Sequence, residues 1–278
     1  MGVRLAVASV NFFAGFTAFV LLQLKKQLRP GETIVQCATD HQHDTEFASK
    51  RVLALLEGDP RPVALISLAL RPAPAVIAAY RAAGVPVIAI DEEPEGATIV
   101  ACDNVACWRL AIEHLLETGR RSIAVVSGLS QLAGGYSALH RQTGARQALA
   151  KAGLELAAEN VLEVKDYSHK DGLDTMNALL DRKRRVDGVF CASGDTTATG
   201  MLEAAQARGL RIPEDISIVS CDNLPCAAIS APPLTTIEQP LEAIAREVYR
   251  LAVEEHAQLV AKPRRVLLPP TLIRRHSA

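Results

Sequence analysis

Apolar residues fall along this chain in short unbroken runs that alternate with longer stretches of helical periodicity. The runs lie at 3–10, 32–38, 63–68, 85–90, 97–101, 122–127, 160–164, 187–192 and 216–221. Between and after them, apolar positions recurring every three or four residues predict helices at 12–28, 45–57, 73–83, 104–118, 137–152, 169–183, 196–208 and 240–260. Strands without polar alternation, separated by helices of ten or more residues, predict parallel sheets covered on both faces. The fold class is α/β. Nine strands are many for one sheet, so two doubly wound parallel-sheet subdomains are expected. The first takes the strands up to about residue 101 and the second those from about 122 to 221.

The N-terminal run needs a decision between strand and membrane. Arg4 precedes a nearly apolar stretch, Leu5 to Leu24, long enough to suggest a signal peptide or a membrane helix. Ser9 and Asn11 interrupt it, no small-x-small cleavage site follows, and Lys25, Lys26 and Arg29 suit the C-terminal end of a helix. A buried strand followed by a helix capped at Asn11 and ended before Pro30-Gly31 satisfies all of these features. A cytoplasmic protein with no membrane span is the expectation.

Composition narrows the function classes. An apolar content of 49% with 22% charged residues is that of a folded globular protein. Lys and Arg number 30 against 31 acidic residues, a formal net charge of −1, so the basic footprint of a nucleic-acid-binding domain is missing. Six cysteines (Cys37, Cys102, Cys107, Cys191, Cys221, Cys226) sit in or beside apolar strands and read as small buried hydrophobes rather than zinc ligands. Asp40, His41, His43 and Asp44 cluster after the second strand and read as helix caps and solvated side chains, not as a metal site. The chain contains no G-x-S-x-G, P-loop, H-E-x-x-H or G-x-G-x-x-G pattern. No metal, cofactor or catalytic residue is expected, and the chain reads as a binder rather than an enzyme.

The densest signal runs from Asp195 to Pro240. The strand at Val189–Ala192 meets a polar turn, Ser193-Gly194-Asp195, then a helix stopped by Gly209. Ile212-Pro213-Glu214-Asp215 turns the chain into Ile216–Cys221, which ends on Asp222-Asn223, and Pro232-Pro233 leads into Thr235-Thr236-Ile237. Adjacent parallel strands thus carry carboxylates at their C-terminal tips, where open α/β sheets bind ligands. This order of pieces resembles the effector-sensing core of the LacI/GalR (lac repressor-like) transcription regulators.

The resemblance implies a type I periplasmic-binding-protein-like fold with three crossovers, near 118–120, 238–241 and 267–270. One lobe would hold residues 1–118 plus 241–268 and the other 119–240 plus 269–278, with a small-molecule site in the cleft between them. It also implies ligand contacts. Arg141, three residues before Gly144, matches an Arg near a helix start whose planar fork suits hydroxyls or a carboxylate. Asp222 matches an effector-contacting acid. Asp195 matches an Asp that often stands beside an Asn, whereas Gly194 stands here and removes that amide. Tyr167, five residues before Gly172, and Phe12 and Phe13 match aromatics that face the ligand. Gln239 matches a polar cleft position.

From spacing alone, Arg141 reads as an exposed helical side chain, whereas Phe12 and Phe13 read equally as helix core, and Asp222 has the alternative of a cap. Family regulators begin with a helix-turn-helix of about fifty to sixty residues that enters the major groove, whereas this sequence begins at the sensor's first strand. It is expected to be either a regulator shortened before that strand or a sensor lacking the reader. The partners implied are a small-molecule effector, probed first as a sugar or related metabolite, a second copy in a homodimer, and operator DNA through a helix-turn-helix. A solute-binding protein of a membrane transporter is the alternative, although the ending from Leu267 to Ser277 resembles the regulators' final strand.

Overall fold

The computed structural model describes residues 3–10, 12, 15–39, 45–128, 136–182, 185–254, 258, 260 and 262–278, without the side chains of 45 and 136–141. Asn11, Phe13, the Asp40–Asp44 cluster and the Arg141 side chain therefore lie outside the described part. The strands are β1 (Arg4–Ser9), β2 (Thr33–Ala38), β3 (Ala64–Leu68), β4 (Val87–Ile90), β5 (Thr98–Cys102), β6 (Ile123–Gly128), β7 (Val161–Val164), β8 (Gly188–Cys191), β9 (Ser217–Cys221), β10 (Thr235–Glu238), β11 (Arg265–Leu268) and β12 (Thr271–Ile273). The helices are α1 (Gly15–Gln27), α2 (Thr45–Ala54), α3 (Pro74–Ala82), α4 (Asn104–Glu117), α5 (Tyr136–Lys151), α6 (His169–Leu180), α7 (Asp195–Ala207), α8 (Pro225–Ile229) and α9 (Leu241–Glu254). No described helix is long and apolar enough to cross a membrane.

Two compact units form. One comprises Met1–Cys102 and Pro240–Leu268, and the other Asp103–Gln131, Ala138–Gln239 and Pro269–Ala278. The first changeover thus falls at Cys102–Asp103, one helix before the expected 118–120. The reason is the buried face of α4. Cys107, Trp108, Ala111, Ile112 and Leu115 pack with Ile123, Val125, Phe190 and Val219 of the second unit. Trp108 meets Phe190 edge-on, with ring centroids 5.3 Å apart.

The first unit's sheet has the order β11-β5-β4-β3-β1-β2, with every pairing parallel. Alternation along β1 divides its core. Leu5 and Val7 join α1 and α9 on one face, while Ala6 and Ala8 join Val76, Ile77 and Tyr80 of α3 on the other. Ile244, Ala245, Val248, Tyr249, Leu251 and Ala252 form the buried stripe of α9, spaced as one helical face.

The second unit repeats the plan as β12-β10-β9-β8-β6-β7, with β12 antiparallel to β10. In both units the chain's first strand sits inside the sheet and its next two strands lie on opposite sides of it. Each sheet therefore has a switch point, β1 to β3 and β6 to β8, and its parallel strands end along one common edge. The strands β10, β11 and β12 add to the nine expected from apolar runs. Each is only three or four residues long, and β12 falls within the Leu267–Ser277 ending that resembles the regulators' final strand.

Helix packing in the second unit depends on glycine. A Cβ on Gly172 of α6 would lie 1.9 Å from the Thr197 carbonyl oxygen, and one on Gly200 of α7 would lie 2.0 Å from that of His169. The two helices thus touch backbone to backbone. Gly144 does the same between α5 and α4, where a Cβ would fall 2.1 Å from the Val105 carbonyl oxygen. Gly200→Ala is expected to lower stability by about 1–3 kcal/mol through overpacking, measured by denaturant unfolding against wild type.

Candidate functional site

Among the described residues, the five with positive φ other than glycine lie just past the C-terminal end of a strand. Ala69 (φ 47°) follows β3, Asp91 (65°) follows β4, Tyr167 (55°) follows β7, and Asp222 (100°) and Asn223 (54°) follow β9. Such conformations cost roughly 1–3 kcal/mol each and persist where neighbouring structure enforces them. Residues in such conformations cluster at functional sites, so the C-terminal edges of the sheets are the candidate functional edges.

The tip of β9 is the most constrained. Asp222 donates its N–H to the Ile237 carbonyl (2.8 Å), which extends the ladder to β10 one residue beyond the strand. Asn223 then leaves in a left-handed turn held by its own amide. Its Nδ2 donates to Glu238 Oε1 (2.8 Å), and its Oδ1 accepts from Arg275 Nη2 (2.7 Å). Arg275 Nη1 also donates to the Leu234 carbonyl (2.8 Å). Ser277, fully buried, accepts from the Thr235 N–H (2.9 Å) and donates to the Ile218 carbonyl. The last residues of the second unit thus brace β9 and β10 from behind.

Asp195 ties the tip together. Its Oδ1 accepts from the Ser220 hydroxyl and from Thr236 Oγ1 (2.8 Å), while its Oδ2 accepts from the Leu224 N–H (2.6 Å). The start of α7, strands β9 and β10 and the start of α8 all meet on this one carboxylate. Asp195 is 0% exposed. The expectation that it contacts ligand is corrected accordingly, because both its oxygens face inward to protein donors and the residue positions the site. Burial first, and then the charge of Asp222, push its carboxyl up to about 7 despite those donors. Cys191, behind it on β8, is pushed up to about 12 by burial, so its thiol is inert near neutrality.

Asp222 is half-buried, and its Oδ1 accepts from Gln239 Nε2 (2.6 Å). Two residues expected at the site are therefore in direct contact. Gly194, which caps the N-terminus of α7, adopts φ 105° and ψ 167°, a region open essentially to glycine alone. A Cβ there would lie 2.9 Å from Asp222 Oδ2. The carboxylate therefore rests on bare backbone at the positive end of α7.

Tyr167 lies on the same edge and is 42% exposed. Its phenol occupies the space over Gly128, where a Cβ would fall 1.7 Å from the hydroxyl oxygen. The left-handed turn at Tyr167 leads into a capping box. Ser168 Oγ accepts from the Asp171 N–H and Asp171 Oδ2 from the Ser168 N–H, both at 3.0 Å. Tyr167 thus stands at the end of β6, beside that sheet's switch point. In the first unit, Phe12 follows β1 and is half-buried against that unit's core. Arg141 falls in α5, whose placement is set by Gly144.

Sequence reasoning missed Asn223, Glu238 and Arg275, and in the first unit Asp91 and Glu92. Glu92 is buried and lies 4.0 Å from Arg71 Nη1. The available signal was polar residues directly after apolar strands, as in Asp91-Glu92-Glu93.

The raised Asp195 value fixes a pH dependence. Its folded value of about 7 lies above its ordinary 3.8, so the protonated carboxyl contributes its full stability below that lower value. The contribution is lost as pH rises to about 7. In denaturant unfolding, the difference in stability between wild type and Asp195→Asn is expected to move against wild type across this window. Asp195→Ala, which strands three donors, is expected to cost about 1–3 kcal/mol.

Residues 112–278 match the family described as periplasmic binding protein-like domain. Among curated relatives, the HTH-type transcriptional regulator CelR of Thermobifida fusca is 36% identical over 183 residues, 66% of this chain and 52% of the relative. The ribose operon repressor of Halalkalibacterium halodurans is 29% identical over 248 residues, covering 89% of this chain and 70% of that protein. The chain spans about half the length of the first curated regulators it matches. A solved CelR–cellobiose complex superposes with a TM-score of 0.84 at 28% identity, over 99% of this chain and 84% of that one. A regulator from Bacillus cereus subsp. cytotoxis reaches a TM-score of 0.87 at 21% identity and supports the fold. Relatives named as regulators favour the sensor reading over the transporter alternative. With its parallel sheets and the match over residues 112–278, the chain belongs to the periplasmic binding protein-like domain family, and the curated relatives it resembles are transcriptional regulators.

Proposed function

We propose that this chain senses a small hydroxyl-bearing metabolite and serves as the effector-binding part of a transcription regulator. The observation that carries the reading is Asp222, a half-buried carboxylate fixed by Gln239 on a left-handed turn at a strand tip. A carboxylate held in this way accepts hydrogen bonds from ligand hydroxyls without reorganising, which strengthens each contact. Tyr167 supplies an aromatic face of the kind that stacks on sugar rings. Arg141, Phe12 and Phe13 complete the proposed contact set. A sugar is favoured because relatives bear the names of a cellobiose complex and a ribose operon repressor.

Regulation requires more than binding. Joined to a DNA-reading domain, the sensor alters operator affinity only as far as ligand distinguishes the states with high and low DNA affinity. A homodimer, presenting two such readers to a two-fold operator, fits this role.

Cellobiose and ribose are the first probes, by thermal shift and then calorimetric titration. A ligand that raises the melting temperature in proportion to the logarithm of its concentration is the expected result. Asp222→Ala is expected to weaken its affinity by about 2–4 kcal/mol, the loss of a charged hydrogen-bond partner, and unchanged affinity would overturn the assignment of Asp222. Sedimentation is expected to show a dimer. Monomer alone at high concentration would remove the dimeric mechanism.

A further inference from the structure

Two buried thiols meet where α4 passes the end of β9. Cys107 lies in the first turns of α4 and Cys221 is the last residue of β9, 114 positions later, yet their sulfurs are 3.8 Å apart. Both residues are buried, and neither is in a disulfide. Each sulfur takes its place from its own element. Asp103 caps α4, its Oδ1 accepting from the Ala106 N–H at 3.0 Å, and Trp108 anchors the helix edge-on against Phe190. The end of β9 is held by the Asp222 N–H on the Ile237 carbonyl at 2.8 Å. Cys191 is equally buried, but its Sγ faces oxygen atoms, the Ser193 hydroxyl at 3.3 Å and the Gly194 carbonyl at 3.6 Å. Contact between two sulfurs, not burial, sets the pair apart.

A disulfide needs its sulfurs about 2.05 Å apart, so the gap closes with a movement of roughly 1.8 Å shared by α4 and the strand end. The share that falls on Cys221 reaches the left-handed pair Asp222-Asn223 directly after it. Hydrogen peroxide is the oxidant the chemistry requires. One thiol, as thiolate, attacks it; the O–O bond breaks, a sulfenic acid forms and a water leaves. The second thiol attacks that sulfur; the S–S bond forms, the S–O bond breaks and a second water leaves. The thiol pair gives up two electrons and the peroxide becomes two waters. Contact makes the second step intramolecular, which favours it over further oxidation of the first sulfur.

We propose that Cys107 and Cys221 are an oxidation site: peroxide converts the pair to a disulfide that ties α4 to the end of β9 and resets the Asp222-Asn223 turn. The redox state of the pair is thereby coupled to the edge proposed for ligand. The inference does not depend on the sensor reading, and its test needs no ligand.

The reduced full chain is exposed to hydrogen peroxide under native conditions, the remaining thiols are blocked, and cross-links are mapped by peptide mass spectrometry. Joint loss of the Cys107 and Cys221 thiols, a peptide joining the two, and recovery of both by dithiothreitol are the expected results. Loss of either thiol without the other, irreversible sulfinic or sulfonic acids at these positions, or a link that forms only in denaturant overturns the site. Cys221→Ser is expected to abolish the link and Cys191→Ser to leave it. Where a variant fails to fold, the wild-type map still decides. Coupling to the turn is read by hydrogen exchange at the Asp222 and Leu224 amides, expected to change on oxidation and return on reduction. A disulfide that leaves both amides unaltered overturns that coupling.

Discussion

The arrangement of the second unit's ligand edge depends on one buried carboxylate. Asp195 opens α7, and its two oxygens take hydrogen bonds from β9, β10 and the first residue before α8. A buried acid without such partners would be strongly disfavoured. With three donors it becomes a junction where four elements are held in register. Every feature of the tip follows from that junction. Leu224 is fixed, so the chain between Cys221 and Leu224 must turn within two residues, and it does so through the left-handed pair Asp222-Asn223. The strain in those residues is balanced by Arg275, Glu238 and Gln239, each of which holds one arm of the turn.

The same logic of backbone access recurs at several glycines. Gly128 makes room for the Tyr167 phenol, Gly194 for the Asp222 carboxylate, and Gly172 and Gly200 for each other's helix. In the first three cases a missing side chain lets a functional group sit where a Cβ would have been, or lets the helix that orients it come close. Chemistry at this edge is set as much by absent atoms as by present ones.

Much of the architecture was legible in the sequence because buried parallel strands leave continuous apolar runs. The nine strands and eight helices anticipated from the pattern occupy their places to within a few residues. Of the short strands, β12 was legible in the ending that resembles the regulators' final strand, whereas β10, four residues between prolines, carries too little pattern. The changeover at Cys102–Asp103 was also hidden. Only three-dimensional packing shows that Trp108 and its neighbours on α4 turn toward Phe190. At the candidate site, Asp222, Gln239 and Tyr167 were singled out through resemblance, and the structure places the first two in contact. Asp195 was found but misjudged. A sequence shows an acid at a strand tip, but not whether its oxygens face outward or are already taken. Asn223, Glu238 and Arg275 were missed because their importance lies in reaching one another across 15 and 52 residues of chain.

The bracing of β9 and β10 by Arg275 and Ser277 has a consequence for the order in which the molecule is made. Residues 240–268 return to the first unit, and only afterwards does the chain deliver 269–278 to the second. Neither unit can close its sheet while the ribosome is still short of these segments. Until residue 277 has emerged, Thr235 lacks the acceptor for its N–H and Ile218 the donor for its carbonyl. The candidate edge therefore takes its bracing from residues distant in sequence from the strands they hold. Strand β11 completes the first sheet, and strand β12, which follows it in the chain, completes the second.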